Sequence, residues 1–207
     1  MADTTLDSDR RAIRRLVNDW VLWRDSADWD RFATVWHEGA WMSATWFQGT
    51  AAEFVAASRA GFERGVHILH TLGGWSCDVA PPRAISQCRM TIHQRAALDG
   101  VLVDVACLGR FYDFFEKRGG RWAIVRRQPI YEKDRVDPVD PSVRLELDGD
   151  LLAQFPEGYR HLAYVQVKNG FTVRIGLPEL RGAAVQKLYS EGRAWLAGAS
   201  SPWIDRR

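Results

Sequence analysis

The stretch AALDGVLVDVACLGRFYDFFEKRGGRWAIVRRQPIY, residues 96–131, decides the fold. Its runs at 101–117 and 121–131 are rich in Val, Phe, Tyr and Ile, residue types that favour β-strands. The dipeptides Asp99-Gly100 and Gly119-Gly120 precede the two runs, and such pairs are typical of tight hairpin turns. The stretch therefore predicts long antiparallel strands joined by short loops.

Toward the N-terminus, the sequence predicts more strands and then helices. Two further long strands are expected at 67–79 and 84–98, separated by a Pro-Pro pair that cannot continue a central strand. Apolar residues at helical spacing predict three helices. The predicted elements are a helix at 7–27, a short helix from Asp28 to Gly39, an aromatic strand at 40–47 and a helix at 50–64. Helices followed by an antiparallel meander indicate the α+β class.

Beyond Tyr131 the sequence changes character. Residues 132–142 are charged and contain two prolines, which is typical of an extended connector. A final helix is predicted from Pro178 to Leu196, and its apolar residues offer a surface for oligomer formation. We therefore divide the chain into a first domain, 1–137, and a C-terminal extension, 138–207, that packs on this domain or on a neighbouring subunit.

Composition excludes several classes of protein. The 207 residues include 28 Lys and Arg against 26 Asp and Glu, a formal net charge of +2, which argues against a dedicated nucleic-acid binder. The sequence shows neither a secretory signal nor an apolar run of the roughly 20 residues that span a membrane. Its three cysteines follow no disulfide spacing. We expect a soluble, cytoplasmic protein.

Tryptophan is unusually frequent, with ten in the chain and seven of them before residue 76. Large flat side chains in this number indicate extensive apolar surfaces in the first third of the molecule. We expect part of this aromatic excess to line a pocket for a flat apolar molecule, and the remainder to be ordinary core.

His70 and Asp25 are the strongest candidates for catalysis. His70 shares the apolar face of its predicted strand, and Asp25 borders the apolar stripe of the first helix, so both point toward the interior. A carboxylate bonded to one imidazole nitrogen fixes the tautomer and makes the other nitrogen a better base. The alternatives are a buried structural histidine and a helix-end aspartate on the surface.

A shared metal ion is not expected at the histidines of this strand. His67 and His70 are three residues apart, and on a strand such positions face opposite sides. The sequence offers no obvious further Cys or His ligands for zinc.

The order of these features resembles a known family. Asp25 lies near the end of a helix, Asp28-Trp29 opens the next, the motif His-x-Leu-Gly-Gly stands at 70–74, and the meander ends in Gly-Arg-Trp-Ala-Ile at 120–124. The chain is similar to the SnoaL-like branch of the nuclear transport factor 2-like superfamily over roughly residues 7–131.

The resemblance implies a cone-shaped barrel, in which a curved antiparallel sheet wraps a deep apolar pocket and N-terminal helices close it. Enzymes of this branch include polyketide cyclases, scytalone dehydratase, hexachlorocyclohexane dehydrochlorinase, steroid isomerases and γ-formaldehyde lyases, and many use no cofactor. Asp25 and His70 fall where the dehydratase and dehydrochlorinase types carry an Asp–His dyad. The resemblance thus implies a cofactor-independent lyase or isomerase, whose Asp–His dyad abstracts a proton from a small aromatic or polycyclic substrate. Elimination, retro-aldol C–C cleavage and isomerisation all remain open as the reaction that follows.

Candidate substrate contacts follow from residue type. Flat rings suit a flat substrate, and an inward arginine would stabilise an oxyanion or a leaving group. These candidates are Trp41, Trp46, Tyr112, Tyr131 and Arg127. For each aromatic residue plain core packing is the alternative, and strand alternation does not decide whether Arg126 or Arg127 faces inward.

Other functions remain open at this point, because one fold supports many activities. The chain is alternatively a non-catalytic small-molecule binding protein or an accessory subunit, including the small subunit of a dioxygenase. The resemblance also favours a homodimer or homotrimer.

Overall fold

A computed structural model describes residues 2–200, with side chains from Thr4 onward. The three N-terminal helices are α1 (Ala2–Asp25), α2 (Trp29–Thr34) and α3 (Ala51–Glu63). Asp28 caps α2 by accepting a hydrogen bond from the backbone N–H of Arg31, and Thr50 forms a reciprocal capping box with Glu53 at the start of α3. These local bonds explain why both helices begin where the sequence predicts.

Six strands form one curved, open sheet in the order β2-β1-β6-β5-β4-β3. The strands are β1 (Trp36–Ser43), β2 (Gln48–Thr50), β3 (Ile68–Ala80), β4 (Arg83–Leu98), β5 (Val101–Arg118) and β6 (Arg121–Pro138). The predicted α+β class, with N-terminal helices against a curved sheet, is confirmed.

Two details of this sheet correct the sequence prediction. The sheet is not purely antiparallel, because β1 pairs in parallel with β6. The second helix ends at Thr34 rather than at Gly39, and Trp36 already belongs to β1, where its backbone pairs with Ile124. Gly39 has a positive φ of 73° and lies inside β1, between the two residues where the pairing with β6 shifts in register. The strand is therefore irregular at this glycine.

The segment 132–142 was predicted as a connector, but β6 continues through it to Pro138. Val136 pairs with Val105, and half-buried residues alternate with exposed charged ones along this part of the strand. That alternation is the period of a strand with one solvated face. The predicted boundary between 137 and 138 therefore falls at the end of β6, and the division into two domains stays a prediction.

Residues after β6 form α4 (Gly149–Leu152), α5 (Arg160–Lys168) and α6 (Ala183–Leu196). The last helix starts five residues later than predicted, because the carbonyl of Pro178 accepts a hydrogen bond from Tyr131 in an added bridge to β6. Gly182, with a φ of 108°, then precedes the first turn.

The two faces of the sheet carry different layers. On the inner face, α1, α2, α3 and α5 enclose one apolar core with residues such as Trp20, Phe111 and Tyr159. On the outer face, α6 places Leu188 and Trp195 against Phe114, and both are 2% exposed. The expectation that these α6 side chains offer surface for an oligomer is therefore wrong, since the chain's own sheet buries them. A homodimer or homotrimer stays a prediction.

Candidate active site

Asp25 and His70 meet at the inner face of the sheet. The buried stripe of α1, which includes Val17 and Val21, directs the last turn of this helix at β3, and Asp25 follows Val21 by four residues. Asp25 Oδ1 lies 2.9 Å from His70 Nδ1, and Oδ2 accepts the backbone N–H of His70 at 2.6 Å. The carboxylate thus holds both the ring and the backbone of one residue.

This arrangement defines the tautomer of His70. A carboxylate accepts hydrogen bonds, so Nδ1 carries the proton and Nε2 keeps a free electron pair. The side chain of His70 is only 7% exposed. Burial lowers the pKa of His70, and the hydrogen bond that the ring donates to Asp25 opposes that shift only in part. At neutral pH the ring is therefore uncharged and ready to accept a proton at Nε2.

Aromatic rings fix the imidazole from two sides. Trp20 meets it edge to face with ring centroids 5.3 Å apart, and Phe111 lies at 5.8 Å. Both rings belong to the inner core, so the imidazole packs against apolar neighbours. The local environment favours the neutral imidazole and strengthens electrostatic interactions.

A fully buried ion pair lies close by. The Arg127 guanidinium donates two hydrogen bonds of 2.7 Å to Asp113, and neither side chain is exposed. The same guanidinium stacks over Phe111 at 3.8 Å and over Trp20 at 4.2 Å. Burial raises the pKa of Asp113, and Arg127 opposes this shift. The sequence left open whether Arg126 or Arg127 faces inward. Arg127 does, whereas Arg126 bonds Glu191 on the outer face of the sheet.

His70 lines an inner cavity of about 40 Å³. This space has room for one or two water-sized groups but not for an aromatic ring. Trp20, Trp46, Phe111 and Tyr131 contribute rings to its wall. Burial raises the pKa of the Tyr131 hydroxyl well above its usual value, so this group remains protonated.

A larger outer cavity of about 260 Å³ adjoins the inner one, between α3, the start of β3 and the end of α5. Four residues line both cavities and form the neck between them: Arg24, Trp46, Ile68 and Gln166. Gln166 is fixed in the neck because its side-chain oxygen accepts a 2.6 Å hydrogen bond from Thr45. The C-terminal extension therefore supplies part of the wall of the candidate site.

The sequence-predicted contacts divide between the two faces of the sheet. Trp46 and Tyr131 line the inner cavity beside His70. Trp41 and Tyr112 do not line it, which corrects the prediction for these two residues. Trp41 pairs with Arg126 and lies in an outer groove. Tyr112 packs beneath α6 against Tyr189.

Sequence reasoning missed the polar residues of the neck. Arg24 is next to Asp25, is 6% exposed and donates to the carbonyl of Ile68 at 3.1 Å. Arg24 follows the buried Trp20 by four residues, and this helical spacing in the sequence could have indicated that it faces inward. Gln166 gives no comparable signal, because its partner Thr45 is 121 positions away in the chain.

Between residues 2 and 200, no three His, Cys, Asp or Glu side chains come together in a way that would hold a metal ion. Over the same range, no helix is both long and apolar enough to cross a membrane.

Comparisons with known proteins agree with this geometry at the level of family and fold. The model of the SnoaL-like domain matches residues 7–128, which confirms the resemblance predicted from the sequence. "Pea pathogenicity protein 2" of Fusarium vanettenii is 35% identical over 205 residues, covering 94% of this chain and 88% of that protein. An uncharacterized protein of Emericella nidulans is 33% identical over 206 residues, covering 92% and 87%.

Solved structures show the same fold at low sequence identity. A putative scytalone dehydratase from Novosphingobium aromaticivorans has a TM-score of 0.55 and 21% identity, covering 70% of this chain and 100% of that one. A type 2 hexachlorocyclohexane dehydrochlorinase has a TM-score of 0.56 and 13% identity, covering 71% and 99%. At these identities the likeness concerns the fold alone.

Proposed function

The chain belongs to the SnoaL-like domain family, and from this premise we propose that it is a lyase or isomerase that works without a cofactor on a small aromatic or polycyclic molecule. The observation that carries the proposal is the Asp25–His70 pair, with bonds of 2.9 and 2.6 Å, at the wall of an apolar cavity. Neighbours in fold include a putative dehydratase and a dehydrochlorinase, both lyases by name.

The proposed reaction begins with proton abstraction by His70. Nε2 takes a proton from carbon, and the electron pair of that C–H bond forms a new double bond to the adjacent carbon. The leaving group departs from that adjacent carbon with its own bonding pair. Asp25 stabilises the imidazolium formed in this step and keeps the ring in place. In an isomerisation, the same proton returns to a different carbon.

Arg127 and Tyr131 are proposed to stabilise charge during this step. Arg127 Nη1 is buried and has no hydrogen-bond partner within the described residues, although Nε and Nη2 bind Asp113. Arg127 is not among the residues that line the inner cavity, but its charge acts on His70 and favours a developing oxyanion or a departing anion there. The Tyr131 side chain lines the inner cavity, and its hydroxyl, which is protonated at neutral pH, suits a donor to the leaving group.

The cavities indicate how a substrate is accommodated. The inner cavity holds only the reacting part, and the body of the substrate occupies the outer cavity. Their volumes, about 40 and 260 Å³, together reach the lower end of the range for small-molecule sites, roughly 300–1,000 Å³. The neck side chain of Trp46 is therefore proposed to move aside as the substrate enters, while the hydrogen bond from Thr45 holds Gln166 in place.

The small inner cavity also favours a second candidate function, a non-catalytic small-molecule binding protein. In that case the outer cavity alone receives the ligand, and the Asp25–His70 pair serves to join α1 to β3. The two candidates differ in whether a bound molecule loses a proton.

Incubation in D₂O tests this difference. Single-ring and fused-ring β-hydroxy ketones and β-halo ketones are offered to the wild-type protein, and mass spectrometry follows elimination products and deuterium uptake next to the carbonyl. The lyase or isomerase proposal expects product or deuterated substrate with the wild type and neither with His70→Ala. Binding without either change in every compound would favour the second candidate.

A further inference from the structure

Three residues that line the outer cavity each carry one buried polar atom that lacks a hydrogen-bond partner within the described residues. These atoms are Arg24 Nε, Ser58 Oγ and Gln94 Oε1. All three side chains line the outer cavity, and their residues are only 6%, 3% and 4% exposed. Buried polar groups without partners cost free energy unless a ligand or water satisfies them. Their convergence on one cavity indicates a polar ligand there.

The charge of this cavity has one sign. Arg24 and the exposed Arg64 both line it, and the lining residues within the described part of the chain include no Asp or Glu. Arg24 does have a counterion in Asp25, at 3.3 Å, but that bond uses Nη1 and leaves Nε without a partner. The remaining N–H capacity of Arg24 is therefore available to a second anion.

The walls between these polar groups are apolar. Val66 comes from the segment before β3, and Ile68 is the first residue of β3. Trp46 meets Phe171 edge to face, with ring centroids 6.0 Å apart. A ligand that bonds the polar groups and packs against the apolar walls carries a flat apolar body and an anionic substituent. Guanidinium groups bind carboxylates with strong, charge-assisted hydrogen bonds.

We infer that the outer cavity is a subsite for the carboxylate of an aromatic carboxylic acid, held by the Arg24 guanidinium and the Ser58 hydroxyl, and attracted by Arg64. This inference rests on the proposed function for one point only, that the aromatic acid is the substrate. The carboxylate stays in the outer cavity, and the reacting carbon extends through the neck toward His70. Arg24 is suited to this position because it lines both cavities.

Binding of 2-naphthoate and of its neutral analogue 2-naphthamide tests the subsite without any turnover. Calorimetry should show that the wild-type protein binds naphthoate at least about tenfold more tightly than naphthamide, the scale of one charge-assisted hydrogen bond. Arg24→Gln should lose this preference while its affinity for naphthamide stays within about threefold. Equal affinity for the two probes in the wild type, or no binding of either, would overturn the inference.

A second variant covers the case in which Arg24→Gln fails to fold. Arg64 is exposed, so Arg64→Gln should fold and should weaken naphthoate binding by a few-fold while leaving naphthamide unchanged. The matched control is Arg59→Gln, in the helix α3 that Arg64 directly follows. The Arg59 guanidinium bonds the exposed Glu63, and this variant should bind as the wild type does. If Arg64→Gln and Arg59→Gln bind naphthoate equally well, Arg64 does not attract the anion and that part of the inference is wrong.

The His70→Ala variant separates this inference from the proposed function. It should lower any turnover by about 100-fold or more and keep the preference for naphthoate over naphthamide. A protein that never eliminates or isomerises a substrate but retains this preference has the subsite without the chemistry. A protein that turns over neutral ketones and binds both probes equally has the chemistry without the subsite.

Discussion

Asp25 bonds His70 at two places, the ring nitrogen Nδ1 at 2.9 Å and the backbone nitrogen at 2.6 Å. The second bond fixes the main chain of β3 at His70 itself. Because both oxygens of the carboxylate are used, neither the His70 ring nor the β3 backbone can shift without breaking a hydrogen bond to Asp25. The pair therefore supplies an imidazole of fixed tautomer and orientation.

Asp25→Asn should remove the charge from this pair and keep most of its shape. An amide in place of the carboxylate weakens the stabilisation of the imidazolium, and turnover should fall by about 10²–10⁴-fold, the range for impaired general-base catalysis. Steady-state kinetics on a substrate found by the D₂O screen measures the effect. The matched control is Asp30→Asn at an exposed position of α2 and should leave the rate unchanged. Equal rates for Asp25→Asn and the control would contradict the role of Asp25.

The pH dependence of turnover should reflect the lowered pKa of His70. Burial disfavours the imidazolium, so the free base persists below the usual histidine pKa of about 6.5. The value of kcat/KM should therefore stay level as pH falls to about 6.5 and decline only below it. An NMR titration of the His70 ring gives the pKa directly. A midpoint above that of a free histidine would show that Asp25, rather than burial, dominates.

The buried Asp113–Arg127 pair should respond differently to single and double substitution. Asp113→Asn leaves the Arg127 charge buried without a counterion, and the free energy of unfolding should fall by about 3–5 kcal/mol. Replacing both residues, as Asp113→Leu with Arg127→Met, should recover most of that loss, because no buried charge remains. Urea denaturation measures both. A double variant as unstable as the single one would indicate that the pair is needed for packing as well as charge balance.

Gly192 should not tolerate alanine, although alanine normally stabilises a helix. A Cβ on Gly192 would collide with the buried Tyr112 side chain, so Gly192→Ala should separate α6 from the sheet and lower the melting temperature. Gly61→Ala in α3 is the matched control, since its nearest atom would be 3.9 Å away. It should raise stability by about 0.5–1 kcal/mol. Opposite signs for the two substitutions are the expected result in thermal melts.

The sequence was sufficient for the parts of the fold that local chemistry determines. Asp28 and Thr50 cap their helices through their own side chains, and the Asp99-Gly100 turn joins two strands whose pairing continues to their ends. The contact between Asp25 and His70 was also anticipated, because the stripe of α1 and strand alternation direct both side chains inward. These features depend on residues close in sequence or on the family resemblance.

The faces of β6 could not be read by simple alternation. An extra residue, Val125, lies where the pairing shifts between Phe114 and Phe115. As a result Ile124 and Arg127 both face the inner side, although they are three residues apart. Strict alternation would have separated them.

Wrong predictions for Trp41 and Tyr112 have a related cause. Trp41 shares its face with Arg126 through the parallel pairing of β1 and β6, which no local pattern announces. Tyr112 lies on the face that α6 covers. The closure of the cavity by Gln166 likewise depends on contacts between distant parts of the chain.

The rate of His70→Ala tests the central claim, that His70 is the base, most directly. The measurement is turnover of one substrate by the wild type and by the variant, with circular dichroism to show that the variant is folded. We predict a fall of about 100-fold or more, partly reversed by added imidazole that fills the space left by the ring. A folded variant that turns over the substrate at the wild-type rate would contradict the claim.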